Sequence, residues 1–135
     1  MKANKILFIA QEIVQFTESR AMADTCKDLL KGAQERGHEI RTFMPKWGSI
    51  NERRNQLHEV IRLTGMNIIV DETDHPLIIK VASMPSLRTQ VFFILNDDYF
   101  RNHLNTRDDK GNEYPDNDER TIFFARSVLE TVKKQ

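Results

Sequence analysis

The stretch KILFIAQE, residues 5–12, is the part of the chain that says most about its fold. After Lys5 it is a continuous apolar run with β-branched and aromatic side chains, which is typical of a strand covered on both faces. The run meets Gln11 and Glu12 long before the roughly 20 residues that a membrane span requires. We therefore predict a buried first strand rather than a targeting segment, and we expect a cytoplasmic protein.

A helical period follows this strand from about residue 19. Its apolar positions form one predicted stripe: Met22, Cys26, Leu29, Leu30 and Ala33. Gly37 is expected to stop the helix, and HEIRTFMP (residues 38–45) predicts a second strand. A strand, a helix and a strand within 45 residues make a βαβ unit, which predicts parallel strands joined by a right-handed crossover.

The second half of the chain has short apolar runs separated by turn residues. Residues 58–84 predict an antiparallel hairpin insertion that turns near residues 71–76, and residues 90–96 predict a return to a buried strand. Residues 97–105 predict a short helix. The fold class expected is α/β: a Rossmann-like open, mainly parallel sheet flanked by helices.

A closing helix is predicted from about residue 117 to 133. Asp116 and Glu119 fit a capping box at its start. Its predicted buried stripe consists of Ile122, Ala125, Val128, Leu129 and Val132. Since a helix in such a fold is expected to lead into another parallel strand, we expect residues 1–135 to be a single, incomplete domain.

Composition narrows the function classes. Lys+Arg and Asp+Glu both number 20, and this zero net charge argues against a nucleic-acid or anionic-membrane surface. The single cysteine, Cys26, excludes an internal disulfide and is expected in the core. The four histidines show no metal-ligand spacing, and we find no nucleophile–base pair or acidic dyad. We therefore predict no catalytic residue, metal site or cofactor in this chain.

The loop after the first strand is unusual. In many nucleotide-binding α/β proteins this loop is glycine-rich, because backbone N–H groups approach a phosphate there. Here FTESRAMADT (residues 16–25) offers Glu18, Ser19, Arg20 and Ala21 and no glycine. The residues alone leave two alternatives open: a phosphate site that was lost, or a loop that never held one.

Three stretches together resemble bacterial glycogen and starch synthases: KILFIAQE, RGHEIRTFMPKWGSINERR (36–54) and EYPDNDERTIFFARSVLE (113–130). The resemblance covers almost the whole chain, and the three stretches occur in the same order as in those synthases. It implies a GT-B type glycosyltransferase, with two Rossmann-like domains, that extends an α-1,4-glucan using ADP-glucose. It further implies that this chain corresponds to the first part of the acceptor-side domain.

The resemblance also bears on the loop. The family has Lys-Thr-Gly-Gly-Leu-Ala-Asp where this chain has residues 18–24, and the family's lysine contacts the phosphate of the sugar nucleotide. Glu18 stands at the lysine position, while Arg20 and Ala21 stand at the glycine positions. The resemblance therefore favours a phosphate site that was inherited and then changed.

Four further positions match residues that lie near the family's active cleft: Glu12, Asp24, Asp116 and Asn117. Asp24 is equally explained as a first-turn acid favoured by the helix dipole, and Asp116 as a simple N-cap. Trp47 is expected to pack under its loop rather than to stack on a sugar, and Arg120 is expected to be structural.

Two hypotheses remain. The first is the N-terminal fragment of a glycogen-synthase-like glucosyltransferase that is inactive alone. The second is a non-catalytic glucan-binding or regulatory module of the same ancestry. The expected partners are an α-1,4-glucan and, through a parent protein, ADP-glucose, with the oligomeric state left open. A flavodoxin-like phosphate binder is disfavoured, because the loop lacks the hydroxyl- and glycine-rich sequence it needs.

Overall fold

The fold was analysed in a computed structural model, which describes residues 5–10, 13, 16, 21–48, 50–70, 72–84, 89–96, 99–100, 115 and 117–134. The strands are β1 (Lys5–Ile9), β2 (Glu39–Pro45), β3 (His58–Glu59), β4 (Asn67–Val70), β5 (Thr73–Pro76), β6 (Ile78–Met84) and β7 (Thr89–Leu95). The helices are α1 (Ala21–Glu35) and α2 (Asn117–Lys134), with a 3₁₀ turn at Ile61–Leu63.

The predicted βαβ unit is present. β1 and β2 pair in parallel, with Leu7 opposite Arg41, and the N–H of Ala10 donates to the carbonyl of Phe43 at 3.0 Å. α1 connects the two strands, and two residues after its end lies Gly37, whose φ of 79° is in the left-handed region that favours glycine. The N–H of Gly37 donates to the carbonyl of Gln34 at 2.9 Å, which closes the helix as the sequence predicts.

The main sheet has five strands in the order β1-β2-β7-β6-β3. β2 and β7 are parallel, while β6 and β3 join in antiparallel fashion. The predicted Rossmann-like α/β class with an antiparallel insertion is therefore confirmed, and the sheet is mixed: one half parallel and the other antiparallel.

The turn of the insertion lies at the start of the predicted range and is shorter than predicted. β4 and β5 form a separate two-stranded hairpin in which Val70 pairs with Thr73, so residues 73–76 are a strand and not the turn. Glu72 occupies the left-handed region with a φ of 64°, which allows the tight connection. The last apolar run of the insertion, β6, lies outside this hairpin and pairs along its full length with β7.

The buried faces of both helices differ from the predicted stripes. In α2 the predicted positions Ile122, Ala125, Leu129 and Val132 are exposed, and of that stripe only Val128 is buried. The positions that α2 buries are Arg120, Phe123, Phe124, Ser127, Val128 and Thr131. In α1 Leu30 is buried and Cys26 packs against the core, while Met22 and Leu29 are exposed. Both helices carry apolar residues on two faces, so periodicity alone selected the wrong one for α2.

One core cluster lies around the central strands. It includes Phe43 and Met44 of β2, Phe93 of β7, Ile79 of β6 and Phe123 of α2, all with no exposed surface. Neither of the two helices described is long and apolar enough to cross a membrane.

Candidate functional site at the carboxyl edge of the parallel strands

The three parallel strands end at one edge of the sheet, which is where ligands bind in open α/β sheets. Lys46 and Trp47 follow β2 at this edge, and Asn96, Tyr99 and Phe100 follow β7. The first turn of α2 supplies the remaining side chains. We call Trp47, Asn96, Tyr99, Phe100, Asn117 and Arg120 the edge cluster.

Asn96 shapes the segment after β7. Its side-chain N–H donates to the carbonyl of Pro76 at 2.9 Å, and its side-chain oxygen accepts from the N–H of Tyr99 at 3.3 Å. Its own carbonyl accepts from the N–H of Phe100 at 3.0 Å. A buried asparagine that uses both ends of its amide fixes the path of the backbone, because leaving either end unpaired costs about 1–3 kcal/mol.

Arg120 joins the start of α2 to this segment. Its side chain is buried, with 3% exposed, and its Nε donates to the carbonyl of Tyr99 at 2.7 Å. Another guanidinium N–H donates to the side-chain oxygen of Asn117. The guanidinium carbon lies 6.0 Å from the ring centroid of Trp47. Arg120 is therefore held in place by other protein groups, and it fixes the orientation of the side-chain amide of Asn117.

Trp47 is part of the packing. It is 1% exposed, and its ring meets that of Phe100 edge-on with centroids 5.3 Å apart. A ring without exposed surface offers no face to a sugar, which agrees with the expectation that Trp47 packs under its loop.

Tyr99 of the edge cluster makes polar contacts with two side chains that lie outside the cluster. The hydroxyl of Tyr99 lies 3.1 Å from Nε2 of His75 and donates to a carboxylate oxygen of Glu119 at 3.4 Å. The ring of Phe123 packs against both rings, with centroids 6.1 Å from His75 and 5.3 Å from Tyr99. These contacts hold together three parts of the fold: hairpin strand β5, the segment after β7, and α2.

Lys46 lies at the same edge, directly after β2. Its N–H donates to the carbonyl of Ile94 at 2.9 Å, which extends the pairing of β2 with β7. Burial lowers the pKa of the Lys46 ammonium; Glu52 opposes that shift and Lys80 adds to it. Glu52 and Lys80 themselves form an ion pair. The charged neighbours of the Lys46 ammonium are therefore the two members of this ion pair.

The structure brings only some of the predicted site residues together. Asn117 lies at the edge cluster, half-buried at the start of α2. Asp24 lies in the first turn of α1 and is exposed, and Ala21, the first residue of that helix, is exposed as well. Four of the remaining candidates, Glu12, Glu18, Ser19 and Arg20, lie outside the described residues, as does Asp116 with its predicted capping box. The predicted helix over residues 97–105 also falls largely outside them.

Two buried residues lie between β1 and residues 17–20, which are outside the described residues. Ile13 is fully buried, and its carbonyl accepts from the N–H of Phe16 at 3.1 Å. The ring of Phe16 meets that of Phe93 edge-on, with centroids 5.0 Å apart. The chain that follows β1 is therefore anchored against the centre of the sheet before it reaches α1.

Sequence reasoning missed Asn96, Tyr99, His75 and Lys46. Asn96 directly follows β7 and Lys46 directly follows β2, at the edge where ligands bind. A search for polar residues directly after each parallel strand would therefore have found both. Nothing local marks His75, which the hairpin brings in from a distant part of the chain. Over the described ranges, no group of three or more histidine, cysteine, aspartate or glutamate side chains is placed to hold a metal ion.

Comparisons with known proteins agree on one family. The family model of the starch synthase catalytic domain matches residues 5–135. A glycogen synthase of Chlorobium phaeobacteroides is 37% identical over 131 residues, covering 96% of this chain and 27% of the relative. One of Chlorobium luteolum is 38% identical over 129 residues, covering 95% and 26%.

A solved structure shares the fold. The catalytic domain of starch synthase IV from Arabidopsis thaliana, bound to ADP and acarbose, superposes with a TM-score of 0.76 at 20% identity. The match covers 98% of this chain and 26% of that chain. This chain thus spans about a quarter of the length of the relatives it matches.

Proposed function

Because the chain belongs to the starch synthase catalytic-domain family, we propose that it forms the glucan-facing part of a glucosyltransferase. That enzyme transfers glucose from ADP-glucose to an α-1,4-glucan. The relatives are glycogen synthases, and the starch synthase of similar fold holds ADP and acarbose. The observation that carries the proposal is the position of Asn117, at the carboxyl edge of the parallel strands and oriented by buried Arg120.

The proposed chemistry at this edge is recognition of sugar hydroxyls. A carboxamide both donates and accepts hydrogen bonds, so the side chain of Asn117 suits a polyhydroxylated ligand. The family resemblance assigns Glu12, Asp24 and Asp116 to the same cleft, where their carboxylates would accept from hydroxyl groups. An amide held by Arg120 is already oriented, so it loses less conformational freedom when a glucan binds.

We further propose that residues 1–135 are one part of a larger domain and do not catalyse transfer alone. Glucosyl transfer needs the donor and the acceptor held in one closed cleft. Pure chain mixed with glycogen and radiolabelled ADP-glucose is expected to incorporate no label above background. Incorporation above background would refute this part of the proposal.

The loop at residues 18–21 is proposed to be a changed phosphate site. Glu18 places a negative charge where a phosphate-contacting lysine stands in the family, and two like charges about 4 Å apart repel by roughly 4 kcal/mol at an effective dielectric constant of about 20. Arg20 and Ala21 replace glycines that would let backbone N–H groups approach the phosphate.

Isothermal titration with ADP-glucose tests the loop. We expect weak binding, or none, by the parent protein, and clearly tighter binding only after the combined change Glu18→Lys, Arg20→Gly and Ala21→Gly. Glu18→Lys alone serves as the control for charge without backbone approach. Micromolar binding by the unaltered sequence would show that Arg20 supplies the cation, and the loop would then be a working site.

A second candidate function is a non-catalytic glucan-binding or regulatory module of the same ancestry. The charge reversal at Glu18 favours it, since a module that binds only glucan has no need of a phosphate contact. Titration of the parent protein separates the two candidates. The enzyme is expected to bind both maltoheptaose and ADP-glucose once the loop is restored, whereas the module is expected to bind maltoheptaose alone.

A further inference from the structure

A recess lies at the amino edge of the parallel strands, at the opposite end of the sheet from the edge cluster. Its volume is about 870 Å³, within the range of about 300–1,000 Å³ that is usual for small-ligand sites. The starts of β2 and β7, the end of β6, α1 and the 3₁₀ turn all contribute to it. We call it the amino-edge recess, and its lining includes His38, Arg41, Arg62, Ser83, Gln90 and Phe92.

Three polar side chains lie in one row across the strands of the recess. Gln90 of β7 pairs with Ser83 of β6, and the parallel register of β2 and β7, extended by one residue, places Arg41 beside Gln90. Paired residues of neighbouring strands project to the same face of a sheet, so these three exposed side chains are neighbours. Phe92 follows Gln90 by two residues and therefore lies on the same face.

Phe92 supplies an apolar surface next to this polar row. Its ring stacks on that of Phe43, with centroids 5.4 Å apart and an angle of 26° between the planes. Phe43 is fully buried, whereas Phe92 is partly exposed. The recess therefore combines an aromatic surface held by stacking with amide and hydroxyl groups that donate and accept hydrogen bonds. This combination suits a sugar ring, which presents C–H groups on its faces and hydroxyl groups around its rim.

Two arginines add positive charge to the recess. Arg41 comes from β2 and Arg62 from the 3₁₀ turn, and the described residues of the lining include no acidic side chain. Arg41 pairs with Glu39 at 3.3 Å, with about half of each side chain exposed. An exposed ion pair contributes little, and a guanidinium has several N–H donors, so Arg41 keeps donors for a second anion. The planar fork of an arginine matches the oxygens of a phosphate group.

We propose that the amino-edge recess binds a small phosphorylated sugar, with its phosphate on Arg41 and Arg62 and its ring against Phe92. The recess is separate from the proposed glucan-facing surface, because Gln90 lies at the start of β7 and Asn96 follows the end of that strand. Free phosphate would use the arginines without the aromatic surface, and a neutral sugar would use that surface without the arginines. A ligand with both groups is therefore expected to bind more tightly than either part alone.

The test is a titration of the isotopically labelled 135-residue chain with glucose 1-phosphate, followed by nuclear magnetic resonance. Inorganic phosphate and glucose serve as the two partial probes. We expect saturable shifts of the backbone amides of Gln90 and Ser83, with a Kd of about 1 mM or lower. Each partial probe is expected to bind at least about tenfold more weakly, because it lacks one set of contacts. The side-chain amide of Asn117, in the edge cluster, is expected to stay unchanged.

Three substitutions make the test specific. Arg41→Gln and Arg62→Gln each remove one cation from the recess, and each is expected to weaken the binding of glucose 1-phosphate about tenfold. Arg54→Gln removes an exposed arginine that does not line the recess, and it is expected to leave the affinity unchanged. All three arginines are exposed, so the urea midpoints of the variants are expected to match that of the wild type.

Four results would overturn the proposal: no saturable shift, shifts confined to the edge cluster, a partial probe that binds as tightly as glucose 1-phosphate, or equal effects of Arg62→Gln and Arg54→Gln. The proposal does not depend on the glucan-facing surface, because the two sites lie at opposite edges of the parallel strands. A chain that fails to bind maltoheptaose at Asn117 would therefore leave it intact.

Discussion

β1 and β7 have similar sequences and opposite environments. KILFI in β1 and VFFIL in β7 are both apolar runs with β-branched and aromatic residues. β7 lies at the centre of the sheet, where Val91, Phe93 and Ile94 have no exposed surface, whereas every described side chain of β1 from Lys5 to Ile9 is at least partly exposed. The composition of a strand therefore shows how much burial its side chains are suited to. How much burial they have depends on the neighbouring strands and helices.

The difference extends to the ends of the two strands. The segment after β7 is held by Asn96, Arg120 and Tyr99 in a continuous set of hydrogen bonds. At β1 the anchoring described is hydrophobic, through Ile13 and Phe16. The central strand thus leads into a candidate site held by hydrogen bonds, whereas the described anchoring after the edge strand is apolar packing.

The sharpest way to test this contrast is to truncate one side chain in each strand. Phe93→Ala removes a fully buried ring in edge-on contact with Phe16 and is expected to lower the free energy of unfolding by about 3–5 kcal/mol. Leu7→Ala is expected to cost less than about 1 kcal/mol, because half of that side chain already contacts water. Urea denaturation measures both, and equal losses would mean that β1 is buried in solution.

The end of β7 is tested through Arg120. Arg120→Met keeps most of the side-chain volume but removes the donors to Tyr99 and Asn117, and it is expected to cost about 2–3 kcal/mol. Arg126→Met, at an exposed position of the same helix, is the control: it loses one exposed hydrogen bond, to the carbonyl of Ile69, and is expected to cost less. A loss at Arg120 no larger than the control would show that the edge cluster is not rigid.

Tyr99→Phe tests the polar contacts that the Tyr99 hydroxyl makes outside the edge cluster. The ring and its packing on Phe123 stay, while the contacts of the hydroxyl with His75 and Glu119 are lost. We expect a loss of about 1 kcal/mol in the free energy of unfolding. A neutral result would place the hydroxyl in water rather than between these two side chains.

Lys46→Met gives the smallest expected effect and a distinct dependence on pH. The pKa of Lys46 is lowered from its ordinary value of 10.5, so the unfolded chain binds the proton more tightly than the folded protein. The wild type therefore gains stability as pH rises through the lowered pKa towards 10.5, and the cost of the half-buried charge is present in full only below that lowered pKa. The variant is expected to lack this alkaline gain.

Lys133→Met, an exposed lysine of α2, is the matched control and is expected to keep the gain. Urea midpoints of the three proteins between neutral and alkaline pH decide the point. Identical slopes for Lys46→Met and the wild type would show that Lys46 is solvated.

Much of the fold was predictable because local signals agree with their surroundings. The apolar runs of β1, β2 and β7, the stop at Gly37 and the bounds of α2 all follow from short-range rules. The hairpin turn was predicted too long because Asp74, His75 and Pro76 have turn-type composition, while their pairing with β4 makes them a strand. At these residues, pairing with β4 outweighs the local preference for a turn.

The buried face of α2 and most of the edge cluster could not be predicted for a different reason. Both faces of α2 contain apolar residues, and only the position of the hairpin and of the segment after β7 selects Phe123 over Leu129. His75 reaches Tyr99 from 24 positions away along the chain, a contact with no signature in either local sequence. Asn117 was predicted through family resemblance, and its partner Arg120 was predicted only as a structural residue.

The central claim is that this chain carries a glucan-facing surface at the carboxyl edge of its parallel strands. Titration of isotopically labelled chain with maltoheptaose, followed by nuclear magnetic resonance, tests it most directly. The side-chain amide of Asn117 is expected to shift in a saturable way, while that of Asn67, an exposed residue of β4, stays unchanged. The absence of a saturable shift at Asn117, or an equal shift at Asn67, would contradict the claim.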